Sequence, residues 1–87
     1  MIHQNEASLD FPSINAAASS DLTISVGGAV VNDVVILGLP AAPAAGIVFM
    51  AFVSATNVVT VRAMNITGSA VNPAAANYRV AVLRMRG

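Results

Sequence analysis

The sequence contains no cysteine, no tryptophan and no lysine, and it has one histidine and one tyrosine among 87 residues. Without cysteine the chain forms no disulfide and no thiolate metal site. His3, the one histidine, stands alone near the amino terminus without a second metal ligand. The acidic residues are scattered, the serines lack a histidine partner in any segment expected to be ordered, and no glycine-rich phosphate loop precedes a helix. We therefore expect no enzymatic activity, no metal and no cofactor.

Charged residues are also scarce, at 9% of the chain against about 25% in average globular proteins. Four arginines balance four acids, so there is no basic patch for nucleic acid. The two signs are segregated along the chain. This segregation could be chance, but we expect acidic and basic edges to meet across a subunit boundary, where arginine forms bidentate ion pairs. The acids are Glu6, Asp10, Asp21 and Asp33, and the arginines are Arg62, Arg79, Arg84 and Arg86.

The longest uncharged stretch runs from Val34 to Val61 and is long enough to cross a bilayer. Pro40 and Pro43 lie in its middle between Gly38 and Gly46, and they would break a membrane helix where no water could satisfy the freed backbone groups. Neither flank is long enough to span by itself. We expect buried strands here, and no membrane partner.

Short runs of β-branched and apolar residues between turn signals predict an all-β fold, a sandwich or a small barrel. Asp21–Val26 alternates most clearly, and Asn57 is expected to close a hairpin. Residues 1–7 are polar and are expected to form a mobile arm, followed by a single domain over residues 8–87. The expected strands are an edge strand or extended arm at Ser8–Ile14, then Asp21–Val26, Val34–Leu37, Ile47–Val53, Val58–Ile66 and Tyr78–Arg86.

The apolar content is too high for a small monomer to bury, so we expect a homo-oligomer. Val34–Leu37 and Ile47–Val53 are apolar on both faces, which predicts one face on the core and one on a neighbouring subunit. The expected interface residues are Val34, Ile36, Val48, Met50, Phe52, Arg62 and Arg79. The expected buried layers contain Leu22, Ile24, Val35, Leu37, Phe49, Val59, Val61, Tyr78, Val80 and Val82.

Several phrases, in this order along residues 8–83, resemble a small β-rich module of tailed-bacteriophage virion proteins. No catalytic motif is among them, so the resemblance depends on their order. It implies a trimeric, jelly-roll-like antiparallel β-sandwich of about six strands. The phrases are Leu9-Asp-Phe-Pro-Ser-Ile14, Asp21-Leu-Thr-Ile-Ser-Val26, Asp33-Val-Val-Ile-Leu-Gly-Leu-Pro40, Gly46-Ile-Val-Phe49, Val53-Ser-Ala55, Val59-Thr-Val-Arg62, and Asn72-Pro73 with Tyr78-Arg-Val80.

The function that the resemblance implies is a capsid decoration, or cement, protein. Its partners would be itself, as a homotrimer, and the phage major capsid protein. It would be made in the host cytoplasm without a signal peptide and reach the virion by binding the head. Because proline cannot complete an inner strand, we expect an extended arm to touch the capsid. Its expected contact residues are Leu9, Phe11, Pro12 and Ile14.

Two other functions and a glycosylation site fit the sequence less well. A tail-fibre or receptor- or carbohydrate-binding module would normally display aromatic platforms, and this chain has no tryptophan and one tyrosine. A membrane-active peptide is favoured only by the high hydropathy. Asn65-Ile-Thr67 matches the glycosylation sequon, but we expect that match to be chance in a chain with no export signal.

Overall fold

The computed structural model describes residues 2–41 and 43–84. It contains six antiparallel strands in two three-stranded sheets, with no helix in those two ranges. In the first sheet the order is β1-β6-β3, and in the second it is β2-β5-β4, so β5 and β6 are the central strands. This confirms the all-β prediction. The strands are β1 (Ile2–Leu9), β2 (Ser19–Ser25), β3 (Val34–Gly38), β4 (Ile47–Ala55), β5 (Val58–Asn65) and β6 (Ala76–Leu83).

The hairpin between β4 and β5 forms where the sequence predicted it. Asn57 lies in the two-residue turn with φ of 65°, in the left-handed region that asparagine tolerates better than most residues. Its side-chain Oδ1 also accepts a hydrogen bond from the Gly28 backbone N–H at 2.9 Å. The turn therefore holds the loop between β2 and β3 against this end of the second sheet.

The buried residues come from both sheets and form one core cluster. Phe11, Phe49 and Tyr78 pack on one another inside it, with ring centroids 5.5 to 6.0 Å apart. The predicted inward phase of β2, β5 and β6 is confirmed. Of the ten residues predicted for the core, six are buried and four are partly buried against it. The buried ones are Ile24, Val59, Val61, Tyr78, Val80 and Val82, and the partly buried ones are Leu22, Val35, Leu37 and Phe49.

Residues 2–7, expected as a mobile arm, are instead paired within β1. Its register with β6 runs without a break from Ile2 opposite Leu83 to Leu9 opposite Ala76. A left-handed Gly28 leaves space for the His3 ring, which occupies the position that a Cβ would fill. The prediction was wrong because β1 is held by backbone pairing and by residues distant in sequence, which its own polar composition does not reveal.

The strand or arm expected at Ser8–Ile14 is also corrected. The chain leaves the first sheet after Leu9 and carries Phe11 into the core, while Ile14 pairs with Val71 in an isolated bridge. Leu9, Phe11 and Ile14 are buried and present no side chain to a capsid, whereas Pro12 is exposed. These three residues are therefore wrong as contact residues.

The last strand begins and ends earlier than predicted. It was expected from Tyr78 to Arg86, but β6 ends at Leu83. Met85 and Arg86 lie outside the described residues.

No helix in the described parts of the chain is long and apolar enough to span a bilayer.

Truncation of the Phe11 ring provides a test of this core. Phe11 is 1% exposed, so Phe11→Ala should lower the free energy of unfolding by about 3–5 kcal/mol through lost transfer energy and a cavity. Ile66→Ala is the matched control, because that side chain is 71% exposed and its loss should cost within about 0.5 kcal/mol. Urea denaturation measures both. Equal stability of the two variants would mean that Phe11 is outside the core.

Candidate functional site: an apolar side of the molecule

β3 and β4 are edge strands of different sheets and approach each other at one side of the core, here called the β3–β4 side. Each strand pairs on one edge only, β3 with β6 and β4 with β5. Large apolar side chains on the outer faces of both strands are exposed to solvent. They are Val34 (39% exposed), Ile36 (59%), Val48 (42%) and Met50 (41%).

The inward side chains on this side are only partly covered. Val35 and Leu37 of β3, and Ile47 and Phe49 of β4, pack against the core but remain half-buried. The inward residues of central strands β5 and β6 are almost completely buried. The core is therefore incompletely closed between the two edge strands.

The opposite side, formed by β1 and β2, is polar. The exposed outward residues of β1 are Gln4, Glu6 and Ser8, and those of β2 are serine, aspartate and threonine. Asn5 closes this side, because its Nδ2 donates a hydrogen bond across the sheets to the Ser25 carbonyl oxygen at 2.7 Å. The molecule thus has one apolar and one polar side.

Exposed strand edges are normally protected by charges, by proline or by a very short strand. β4 has nine residues, and neither β3 nor β4 contains a charged residue or a proline. A register shift between Val53 and Ala55 disturbs only the carboxyl end of β4. The two edge strands therefore lack the charges and prolines that protect most strand edges.

Of the seven predicted interface residues, four are exposed apolar side chains on the outer faces of the sheets, Val34 and Ile36 on the first sheet and Val48 and Met50 on the second. Phe52, the fifth apolar one, is half-buried beneath the Arg62 guanidinium, 5.1 Å from the ring centroid. The role of these five apolar residues in an interface stays a prediction. Three further exposed apolar residues flank β3 and are absent from the predicted interface: Val30, Val31 and Leu39. Their position in the sequence beside the apolar strand β3 could have indicated them.

Three arginines form ion pairs within the chain, where we had expected acids and arginines to meet across a subunit boundary. The role of Arg62 and Arg79 in an interface stays a prediction. Each pair joins an acid of the first 33 residues to a late arginine. β1 and β2 are antiparallel to the late strands β6 and β5, which explains the segregation of charge for two of the pairs. The Nε–carboxylate oxygen distances are 2.8 Å for Arg62–Asp21 and 3.3 Å for Arg79–Glu6, and Arg84 Nη2 lies 3.2 Å from Asp33 Oδ2.

Two of these pairs change carboxyl pKa values. The hydrogen bond from Arg62 is the main reason that the pKa of Asp21 lies below its usual value of 3.8. Arg84 lowers the pKa of Asp33 in the same way, and the Val30 backbone N–H adds a second hydrogen bond at 3.0 Å. Both carboxylates are therefore fixed as anions that bind arginine, and neither is suited to proton transfer near neutral pH.

A shallow groove of about 510 Å³ crosses the outer face of the first sheet. Gly38 and Ala81 form its low floor between Ile36 and the ion pair of Glu6 with Arg79. Within the described residues no three histidine, cysteine or acidic side chains cluster as a metal site. The groove offers an apolar floor and a paired charge, which can bind a side chain but supplies no nucleophile with a base.

Asn65 of the sequon is a buried structural residue. Its Nδ2 donates to the carbonyl oxygens of Ile14 at 2.9 Å and Ser69 at 2.8 Å, and its Oδ1 accepts the Thr67 N–H at 2.9 Å. The amide nitrogen to which a glycan would be attached is thus buried and already bonded. The geometry agrees with a chance match to the sequon.

Replacement of Asn65 should be costly for this reason. Asn65→Ala removes the acceptor of the Thr67 N–H and hydroxyl, and it removes one donor from each of the Ile14 and Ser69 carbonyl oxygens. We therefore expect the free energy of unfolding to fall by about 2–3 kcal/mol. Asn77→Ala, at an exposed position on β6, is the control and should change stability by about 0.5 kcal/mol or less. A loss of equal size in both variants, measured in urea, would contradict the role of this network.

The ion pairs predict an acid-dependent loss of stability. The folded-state pKa of Asp33 is lowered, so its contribution is fully present above the unfolded pKa of about 3.9 and is lost as pH falls through the folded pKa. Melting temperature should therefore drop below about pH 4. Asp33→Asn should melt lower than the unmodified chain at neutral pH, and the difference should shrink in acid. A difference that is independent of pH would contradict this assignment.

Comparisons of the chain with protein families, with curated proteins and with solved structures found no match.

Proposed function

We propose that this chain is a structural protein of a bacteriophage virion. It is a decoration, or cement, protein that binds the outer surface of the head as a homotrimer and stabilises the shell. Its two sheets form a jelly-roll-like β-sandwich. The observation that carries the proposal is the exposed apolar surface of β3 and β4, two edge strands without a charge or a proline, which favours association with a partner.

The remainder of the molecule supports a binding role rather than a chemical one. Asp21 and Asp33, whose pKa values are lowered, form hydrogen bonds with arginines. Among the described residues, no three histidine, cysteine or acidic side chains cluster as they would in a metal site. A decoration protein works by bridging neighbouring capsid subunits. Several weak contacts made by one trimer then add through avidity, and the bound lattice resists pressure from packaged DNA.

The contact with the major capsid protein is revised from an arm to an edge. β1 pairs with β6 on one edge only, and its exposed outward side chains Gln4, Glu6 and Ser8 are polar. An extended capsid segment adding to the free edge of β1 would gain backbone hydrogen bonds, with alternate side chains giving register. Exposed Pro12 follows this edge and remains a proposed contact.

The alternative is a tail-fibre or receptor- or carbohydrate-binding module. The groove beside Glu6 and Arg79 is the feature that favours it. Sugar binding usually uses an exposed aromatic face, but Phe11, Phe49 and Tyr78 pack on one another and the fourth aromatic ring lies beneath an arginine. Binding to a glycan array would favour this alternative.

Reconstitution on phage heads tests the proposed function. Heads lacking the protein are mixed with the intact chain, sedimented to count bound copies, and heated while genome release is followed. We expect saturable binding and release at a higher temperature, with heads that already carry the protein as the control. The intact chain is required, because removal of residues 1–14 would delete β1 and three core side chains. Absence of binding would contradict the proposal.

A further inference from the structure

We propose that residues 3–8 of β1 form a latch, which detaches from β6 as one unit while the rest of both sheets stays folded. Detachment uncovers an edge of β6, the central strand of the first sheet. The inference concerns the single chain, so it does not rest on binding to a phage head. Its basis is a comparison of β1 with β2, the other edge strand on the polar side of the molecule.

β1 contributes little apolar surface to the core. Four of its side chains point inward, opposite the inward residues of β6, and Leu9 alone is fully buried. The other three are His3 and Ala7, which are half-buried, and Asn5, which is exposed. Burial of apolar surface is the main force that holds a strand against a core. Residues 3–8 therefore depend mostly on their backbone pairing with β6.

β2 provides a matched comparison within the same fold. It is also an edge strand, it pairs with one central strand over seven residues, and its outward residues are polar too. Its inward side chains differ, because Leu22 packs against the core and Ile24 is 2% exposed. β2 therefore loses apolar burial when it leaves its sheet, whereas the latch loses mainly the partial burial of one histidine and one alanine.

The side-chain contacts of the latch are few and lie at the surface. Asn5 Nδ2 donates one hydrogen bond to a backbone carbonyl oxygen of β2 at 2.7 Å, and His3 rests against the backbone of Gly28. The Nε of Arg79 lies 3.3 Å from Glu6 Oε2, and these two side chains are 79% and 57% exposed. Exposed ion pairs contribute little to stability because water and salt screen them. These contacts orient the latch but add little to the cost of opening it.

The latch has a clear boundary and no internal break. Leu9 and Phe11 are buried in the core and Ile14 pairs with Val71, so the chain that follows the latch stays attached when the latch opens. Residues 3–8 include no glycine or proline, and their pairing with β6 has no register shift. Opening therefore turns about Leu9 and involves the whole segment.

Opening leaves β6 paired with β3 alone. Backbone groups along residues 77–82, which face the latch in the closed state, then lack partners. An edge of this kind pairs readily with an extended segment. The latch thus keeps a reactive edge of the central strand covered in the closed protein.

Native-state hydrogen exchange followed by NMR tests the latch. After correction for intrinsic rates, the paired amides of residues 3–8 should exchange at least about tenfold faster than the paired amides of β2. Their corrected rates should be similar to one another, and low urea should hardly change them, because opening exposes little surface. The paired amides of β5, which open only with the whole fold, should accelerate steeply in urea.

A core variant distant from the latch separates local opening from global unfolding. Val53 lies on β4, on the opposite side of the molecule, and is 6% exposed. Val53→Ala destabilises the fold whether the latch is open or closed, so it should accelerate exchange in β5 and leave the rates of the latch unchanged.

A disulfide across β1 and β6 provides a second variant. Gln4 and Ala81 are opposite residues in the register, and the chain has no cysteine of its own. In the double variant Gln4→Cys and Ala81→Cys, oxidation should slow exchange in the latch to the rate of β2. The reduced form of the same variant is the control and should exchange like the unmodified chain.

Three outcomes would overturn the inference. Equal acceleration of latch and β5 amides, in urea or in Val53→Ala, would mean that the latch opens only with the whole fold. Corrected rates that fall steadily from residue 3 to residue 8 would mean a frayed end rather than a unit. An oxidised disulfide that leaves exchange in the latch unchanged would exclude detachment from β6. None of these results bears on binding to phage heads, which reconstitution measures separately.

Discussion

The structure depends on one constraint, which is that both central strands come from the last third of the chain. β6 holds β1 and β3, and β5 holds β2 and β4, so every edge strand has a central strand as its only partner. Neither sheet can be completed before its central strand is present. Two of the ion pairs follow from the same arrangement, because antiparallel pairing brings the early acids Glu6 and Asp21 opposite Arg79 and Arg62.

Strands with their own apolar pattern were predictable from the sequence. The alternation in β2, the apolar run of β4 and the turn at Asn57 are local signals, and the structure contains each element at the predicted place. β1 was missed because its stability comes from elsewhere. It consists mostly of polar residues, and it is held by the backbone of β6 and by the contact of His3 with Gly28. The paired residues of β1 and β6 are 67 to 81 positions apart in sequence, and no local pattern in β1 reveals that pairing.

The exposed apolar residues of β3 and β4 were also predictable from a local pattern. Val34, Ile36, Val48 and Met50 lie on strands that are apolar on both faces, so exposure of one face follows from the strand phase alone. The arginines were misassigned because the partner of each depends on strand order, which no local pattern shows. Phe11 was misassigned because Pro12 suggested an extended arm, whereas the chain at this point crosses from one sheet to the other and carries the ring inward.

The two sides of the molecule have the same architecture, two edge strands over a shared core, but different chemistry. On the β1–β2 side, charged and hydroxyl side chains keep the edges hydrated, and a hydrogen bond from Asn5 joins the sheets. On the β3–β4 side the described residues of the two strands carry no charge, and Ser54 is their one hydroxyl side chain. An unprotected edge is normally a hazard, because it pairs with whatever strand it meets. It becomes an asset when a defined partner covers it, and the absence of charge from β3 and β4 makes such a partner favourable for this chain.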